Sequence, residues 1–252
     1  MESIHSVSEY LDALKEEKNK YSGMLWYRGH CNVEWRLLPG ILRSLPTSED
    51  ILASEDKYLQ KFRQCSKVLL NNTPSTQFEW LFWMQHHGVP TRLLDWSESP
   101  LVALYFALND STHSTEHDGA VWILRPVELN KASSIDEIYD NFIPAFDDEV
   151  LKPYTPEYMK GMRRAQSLLP IAFIATRNNP RIQAQQGTFT IHHLDVKAIE
   201  SVASSTTSHV SKIHIPKAAK QGLINELELL GISRFQLFPE LDSIAEIIKY
   251  HM

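Results

Sequence analysis

Residues 100–108, PLVALYFAL, form an apolar segment without a polar face, and this segment constrains the fold more than any other. A helix that is apolar all round must lie inside a core. Ser99 and Pro100 fit the N-cap and first-turn positions of such a helix. The preceding residues 85–99 are dense in polar side chains, which are costly at a buried edge unless they are paired. We therefore predict a functional site at this edge, with residues 25–30, LWYRGH, as its second wall.

Composition and charge place the chain among ordinary globular proteins. It has 252 residues, 43% of them hydrophobic and 22% charged, with a formal net charge of −6. The length suits one large domain, and the charge gives no general reason to expect binding to nucleic acid or an anionic membrane. The apolar runs are too short to span a bilayer, and the opening residues MESIHSVSEY do not resemble a signal peptide. Cys31 and Cys65 indicate neither a disulfide framework nor a metal cluster, so we predict a cytoplasmic protein without a membrane partner.

Helical and extended patterns follow one another without a regular βαβ rhythm, which predicts an α+β fold with mixed sheets and flanking helices. We interpret residues 1–252 as a single domain with an N-terminal helix (1–22), a core (23–194) and a C-terminal strand–helix–strand–helix unit (211–252). The predicted helices cover residues 6–21, 55–70, 76–86, 100–108, 216–230 and 241–250. The predicted strands cover residues 24–28, 89–94, 119–126, 171–175, 212–215 and 234–238, with a strand pair or one broken strand at 181–191.

Arg28 ends a predicted strand that is otherwise apolar, so its guanidinium must be paired or must face a cleft. A guanidinium in a cleft suits a phosphate or a carboxylate, because it can donate two parallel hydrogen bonds. A structural salt bridge is the alternative. Gly29, which follows, allows the backbone to turn sharply or to approach a ligand closely.

Arg92 and Asp95 lie three residues apart in the central polar segment. In an extended chain they point to opposite faces, whereas a turn between them lets them meet. We favour a buried Arg92–Asp95 pair that fixes the loop. Ser97, Glu98 and Ser99 lie at the entrance of the apolar helix, where free backbone N–H groups favour an anion, although simple capping explains the same residues.

His86 and His87 end the helix before this segment, and adjacent helical residues diverge by about 100°. They cannot readily bind one metal ion together, and no Cys or Asp lies at ligand spacing, so we expect no metal site. One of the two histidines is predicted to line the cleft. Arg181, Gln183 and Gln185 alternate with apolar residues, which places them on one face of a strand. That face either orients a ligand through its amide groups or is simply solvated.

Four stretches of the chain together resemble the FRG domain family, which is named for its aromatic-Arg-Gly motif. They are YRGH at 27–30, QHHGVPTRLLDWSESPLVALYFA at 85–107, RIQAQQGTF at 181–189 and LFPELDSI at 237–244. They occur in the family's order and span most of the chain. The resemblance implies a bacterial or phage setting but does not bring an activity with it.

A weaker resemblance links the chain to arginine-class ADP-ribosyltransferases. Tyr27-Arg28-Gly29 is similar to the early motif whose arginine holds NAD in that class, and residues 95–99 lead into a helix as its Ser-Thr-Ser strand does. Residues 183–185, before Gly187-Thr188-Phe189, stand where that class has Glu-x-Glu. The departures are a glutamate between Ser97 and Ser99 where a threonine is expected, and glutamines at both acidic positions of residues 183–185. Either another carboxylate, Asp95 or Glu98, takes over, or the chemistry has changed, or the pocket binds without turnover.

The resemblance implies, as the first hypothesis, an NAD-using ADP-ribosyltransferase or NAD hydrolase that acts on an unknown protein or nucleic-acid acceptor. The residues assigned to catalysis are Arg28, Asp95, Glu98 and Gln185. The residues assigned to binding NAD are Tyr27, Gly29, His30, His86, Arg92, Ser97 and Gln183. In this hypothesis the Ser97 hydroxyl supports Arg28, and Gln185 orients the nicotinamide ribose. The alternatives are a non-catalytic nucleotide-sensing or interaction module in toxin or phage-defence systems, and a metal-independent ribonuclease.

Overall fold

The computed structural model describes residues 3–45, 47–70, 73–109, 116–135, 143–161, 168–174, 179–203, 208–240, 243 and 248. The strands are β1 (Trp26–His30), β2 (Leu93–Ser97), β3 (Gly119–Leu124), β4 (Ile171–Phe173), β5 (Gly187–Ile191) and β6 (Val210–Ile215). The helices are α1 (Val7–Lys20), α2 (Gly40–Ser44), α3 (Ser48–Ser66), α4 (Gln77–His86), α5 (Pro100–Leu108), α6 (Pro126–Ala132), α7 (Pro156–Gly161), α8 (Pro180–Ala184), α9 (Lys220–Leu229) and α10 (Arg234–Leu237). None of the described helices is long and apolar enough to cross a membrane.

The named strands form one open six-stranded sheet in the order β4-β5-β2-β1-β3-β6, and the prediction of an α+β fold is confirmed. Every pairing between these strands is antiparallel. Parallel pairing occurs in the isolated bridges Ser3–His214 and Ala145–Ile174. Strand β1 lies in the middle of the sheet, so its residues are flanked on both sides.

Apolar side chains alternate along the centre of the sheet and fill a core on each face. Leu25 and Tyr27 pack on the face that helices α1, α5 and α9 cover. Trp26 lies on the opposite face with Trp96 and Trp122. Among the described residues, the sheet is therefore covered on both sides around β1.

Helix α5 lies in the core as predicted, and Ser99 caps it by accepting a hydrogen bond from the Val102 N–H at 3.4 Å. The backbone of α5 passes directly over Gly29 of β1. A Cβ atom on Gly29 would meet the Ala103 carbonyl oxygen and lie 2.9 Å from the carbonyl carbon of Phe106. Because Gly29 has no side chain, the backbone of α5 can pack directly against β1. This contact sets the distance between α5 and the strand that carries Arg28.

Two predicted strands are wrong, because both segments are short helices. Residues 181–184 belong to α8, which Asn179 caps by accepting a hydrogen bond from the Arg181 N–H at 2.8 Å. The alternating strand face of Arg181, Gln183 and Gln185 therefore does not exist, and only β5 is extended. Residues 234–237 form α10, where the Ser233 N–H donates to Gln236 Oε1 at 2.9 Å. Most of the helix predicted at 241–250 lies outside the described residues.

Candidate functional site

The cleft opens where three stretches far apart in the sequence meet on adjacent strands. Arg28 comes from β1, Asp95 and Ser97 come from β2, and Gln185 lies two residues before the start of β5. In the sheet β2 pairs with both β1 and β5, and Ser97 lies opposite Tyr27 on one side and Gly187 on the other. The cavity has a volume of about 380 Å³. Eight predicted site residues line it: Tyr27, Arg28, Gly29, His30, His86, Asp95, Ser97 and Gln185.

Arg28 holds a guanidinium in a fixed position at the wall of the cleft. Its Nε donates to His30 Nε2 at 3.0 Å, and its Nη1 donates to the carbonyl oxygen of Asp95 at 2.6 Å. Its side chain is 18% exposed, and Nη1 lies 3.9 Å from Asp95 Oδ2. Burial lowers the pKa of Arg28 to about 10, which leaves the guanidinium charged at neutral pH. Arg28 is therefore a permanent cation beside an open cavity, and it is not enclosed in a buried salt bridge.

His30 lies behind Arg28 and acts on its orientation. The ring is buried, and the edges of Trp35 and Trp122 pack against it. The Arg28 Nε–H donates to His30 Nε2 at 3.0 Å, and the Trp122 Nε1–H donates to His30 Nδ1 at 3.2 Å, so two donors face the ring. The Trp35 carbonyl oxygen lies 3.3 Å from Nδ1. Burial first, and then the charge of Arg28, hold the pKa of His30 well below its ordinary value. His30 is thus a neutral acceptor that positions the arginine, although it also lines the cavity.

Asp95 presents its carboxylate to the same cavity. Its side chain is 52% exposed, and Oδ2 accepts a hydrogen bond from Gln85 Nε2 at 2.8 Å. Gln85 is in turn held by the Thr91 hydroxyl, which donates to Gln85 Oε1 at 2.7 Å. Among the described residues that line the cavity, Asp95 is the one carboxylate. Any carboxylate charge that the described wall supplies to a ligand therefore comes from Asp95.

The predicted Arg92–Asp95 pair is wrong, and Arg92 lies in the protein interior. Its side chain is 0% exposed and its Nε contacts Glu55 Oε2 at 2.9 Å. Its two terminal nitrogens donate to the carbonyl oxygens of His192 and Tyr154 at 2.7 Å and 2.6 Å. Because the chain is extended here, Arg92 points to the face opposite Asp95. Arg92 stabilises the core and does not line the cleft.

The Ser97 hydroxyl has a different partner from the one predicted. It donates to the carbonyl oxygen of Gln185 at 2.7 Å and accepts from the Ser99 N–H at 2.9 Å, so it joins β2 to the end of α8. The Gln185 side chain donates to the Leu237 carbonyl oxygen at 3.0 Å, and its Oε1 remains an acceptor near the cleft. Two other candidates are set apart from the cavity wall: Gln183 is exposed on α8, and the described cavity lining does not include Glu98.

Of the two adjacent histidines, His86 faces the cleft. Its Nε2 lies 3.7 Å from Glu240, and burial, followed by the charge of Arg181, lowers its pKa. The His87 ring instead stacks on Trp83 with its centroid 5.8 Å away. His86 is thus an uncharged wall residue at neutral pH. No group of three or more metal-ligating side chains is found among the described residues.

Sequence reasoning missed part of the positive charge of the cleft. Arg36 and Arg43, which the sequence did not single out, line the cavity together with Arg28 and Arg181. Arg36 and Arg43 lie on either side of a proline-containing turn, outside the four stretches that carry the sequence resemblance. The aromatic residues Trp35, Phe82, Trp96, Phe106 and Phe189 also line the cavity. An arginine-rich wall with aromatic surfaces suits a ligand that combines phosphate groups with flat rings.

The family model of the FRG domain matches residues 23–116, which include both β1 and the central polar segment. No curated protein and no solved structure matches the chain.

Proposed function

The chain carries an FRG domain at residues 23–116, and we propose that the cleft of this protein binds NAD and cleaves its bond to nicotinamide. The ADP-ribosyl group would pass to an unidentified protein or nucleic-acid acceptor, or to water. One observation carries the proposal: the fixed guanidinium of Arg28 and the exposed carboxylate of Asp95 face the same cavity of about 380 Å³. We also propose a cytoplasmic location; the toxin or phage-defence setting belongs to the second candidate function below.

The arrangement of the strands supports this choice of ligand. The elements similar to those of arginine-class ADP-ribosyltransferases are YRG, the serine-containing segment and the Gln-x-Gln segment. They lie on or next to β1, β2 and β5, which are neighbours in the sheet. These three motifs are far apart in the sequence but meet at one cavity. They can therefore act on the same ligand, as a shared mechanism requires.

Each residue of the wall has a part in this proposal. Arg28 binds a phosphate oxygen pair through its fork. Asp95 places a negative charge against the positive charge that develops on the ribose as nicotinamide departs, and such fixed charges stabilise a transition state. Gln185 accepts a ribose hydroxyl through Oε1. Aromatic rings such as Phe106 cover the apolar faces of the ligand.

Binding without turnover is the second candidate function. It is favoured by the state of Asp95, whose carboxylate already accepts a hydrogen bond from Gln85 and lies beside Arg28. It is also favoured by the glutamines at residues 183 and 185, which cannot carry negative charge. The ribonuclease hypothesis is based on Arg28, His86, Arg92 and Asp95. It is weaker, because Arg92 is buried away from the cleft.

Nicotinamide release tests the proposal and separates it from the second candidate. Purified wild type, Asp95→Asn and the exposed control Asp12→Asn are incubated with NAD, and free nicotinamide is measured by chromatography. We expect release by the wild type and by Asp12→Asn, and a loss of about 100-fold or more for Asp95→Asn. Tight NAD binding without release would favour the sensor, and the absence of both binding and release would exclude NAD.

A further inference from the structure

A second hollow lies behind the cleft, and the two share one boundary. It has a volume of about 190 Å³, and its lining includes Gly40, Pro90 and Leu93. Four residues line both hollows: Arg28, Arg43, Gln85 and Asp95. These four side chains therefore stand where the two spaces meet, and a ligand in the cleft can reach Arg43 as well as Arg28.

Arg43 is held in place while the end of its side chain stays accessible. It lies on α2, which is anchored by the buried side chains of Ile41 and Leu42. Its Nε donates to the Leu38 carbonyl oxygen at 2.9 Å. No hydrogen bond to a described residue engages its terminal nitrogens. The guanidinium is thus fixed at one nitrogen and open at the others, as a ligand-binding arginine requires.

Positive charge exceeds negative charge at this boundary. Arg36 and Arg181, the other arginines of the cleft, have Glu200 at 3.5 Å and Glu240 at 3.8 Å. Arg28 and Arg43 have only Asp95 between them among the described lining residues. The two guanidinium groups are close enough for the charge of Arg43 to lower the pKa of Arg28. Two like charges with one counter-charge in a concave site favour an anion.

We infer that Arg28 and Arg43 together form a diphosphate-binding subsite at the boundary of the two hollows, beside Asp95 and Gln85. Each guanidinium can bind one phosphate group through two parallel hydrogen bonds, so the pair suits two linked phosphates better than one. The inference rests on the proposed function for its ligand class, because a dinucleotide such as NAD contains a diphosphate. It adds Arg43 to the binding residues and assigns the part of the ligand that it contacts.

Calorimetric titration with inorganic pyrophosphate and with orthophosphate tests the subsite directly. The full chain is compared with Arg43→Gln, Arg43→Lys and the control Arg63→Gln, an exposed arginine of α3 that packs on Trp80 away from the cleft. We expect the wild type and Arg63→Gln to prefer pyrophosphate over orthophosphate. Arg43→Gln should bind pyrophosphate about tenfold or more weakly and lose that preference, with Arg43→Lys intermediate. Circular dichroism melting confirms that each variant is folded.

The outcomes separate this inference from the proposed function. Equal pyrophosphate affinity of wild type and Arg43→Gln would overturn the subsite, as would the absence of any pyrophosphate binding by the wild type. If NAD binds the wild type although one of these two pyrophosphate results is obtained, the proposed function is retained and only the diphosphate subsite is rejected. If pyrophosphate binding depends on Arg43 but NAD does not bind, the diphosphate subsite stands and NAD is the wrong ligand.

Discussion

The Nε of Arg28 donates a 3.0 Å hydrogen bond to Nε2 of His30, two residues later on the same strand. Residues two apart in a strand point to the same face, so the pairing follows from the local sequence RGH. The buried, neutral imidazole fixes the direction of the guanidinium before any ligand arrives. A mutation of His30 can therefore change the orientation of the Arg28 side chain while Arg28 keeps its charge.

Replacing His30 by Leu should weaken ligand binding while leaving Arg28 in place. The Arg28 Nε–H loses its acceptor, and a lost hydrogen bond to a charged group costs about 1.5–3 kcal/mol, or roughly tenfold or more in affinity. Pyrophosphate titration measures the change. His30→Gln is the matched control, because its amide oxygen can accept the same hydrogen bond. Wild-type affinity in a folded His30→Leu variant would show that His30 does not position the arginine.

Stability should decrease as the pH falls below about 6.5, in part because two adjacent histidines are buried uncharged. Burial lowers the pKa of His192 to about 3 and that of His193 to about 4, from an ordinary value of 6.5. Between about pH 4 and 6.5 the unfolded chain therefore binds more protons at these two histidines than the folded protein does. Their contribution to the free energy of unfolding is highest above that range and decreases as the pH falls through it. Urea unfolding at pH 7.5 and pH 5.0 should differ by a few kcal/mol in the wild type.

His193→Phe isolates the histidine contribution from that of the carboxylates. The phenyl ring can keep the edge contact with Tyr154, whose ring centroid lies 5.6 Å from that of His193, and it cannot bind a proton. The variant should lose less stability than the wild type over the same pH range. An identical pH dependence for the two proteins would contradict the assignment.

Gly29→Ala should destabilise the protein by about 3 kcal/mol or more, because the new methyl group meets the backbone of α5 and not a movable side chain. Gly222→Ala is the opposing control. Gly222 lies on α9 with nothing within 4 Å of an added Cβ, so the substitution should stabilise by about 0.5–1 kcal/mol. Thermal melting of both variants measures the effects. A melting temperature of Gly29→Ala equal to that of the wild type would mean that α5 does not approach β1 this closely.

Glu55→Gln should destabilise the fold strongly, since it leaves the fully buried guanidinium of Arg92 without its counter-charge. Breaking a buried ion pair by removing one partner typically costs about 3–5 kcal/mol. Glu16→Gln, on the exposed side of α1, should change the free energy of unfolding by less than about 0.5 kcal/mol. Denaturant unfolding distinguishes the two. A small effect for Glu55→Gln would contradict the structural role of Arg92.

Local signals in the sequence predicted several elements, but the helix predicted at 55–70 is α3 at Ser48–Ser66 and the strand predicted at 89–94 is β2 at Leu93–Ser97. The apolar run of α5 has its cap at Ser99, α4 begins after Thr76 with Glu79 completing a capping box, and GAVWIL forms β3. The α8 and α10 segments were predicted as strands because helices of four or five residues are too short to show helical periodicity. The Asn179-Pro180 pair was the available signal, since Asn and Pro commonly begin a helix.

The site was predictable where chemistry and local sequence coincide, and unpredictable where tertiary contacts decide. Arg28 and Asp95 were identified because each is polar beside an apolar strand or helix. Arg92 was misassigned because its partners, such as Glu55, come from distant parts of the chain. Arg43 was missed because it lies on a short helix outside the four stretches that carry the resemblance, and packing of that helix brings it to the cleft.

Calorimetric titration of NAD into the wild type and Arg28→Gln tests the central claim, that the Arg28 cleft binds a phosphate-bearing nucleotide. Arg63→Gln, whose guanidinium lies away from the cleft, serves as the matched control. We predict saturable binding by the wild type and by Arg63→Gln, and an affinity for Arg28→Gln lower by about tenfold to a hundredfold. Equal affinity of Arg28→Gln and wild type, or no binding of NAD to either, would contradict the account.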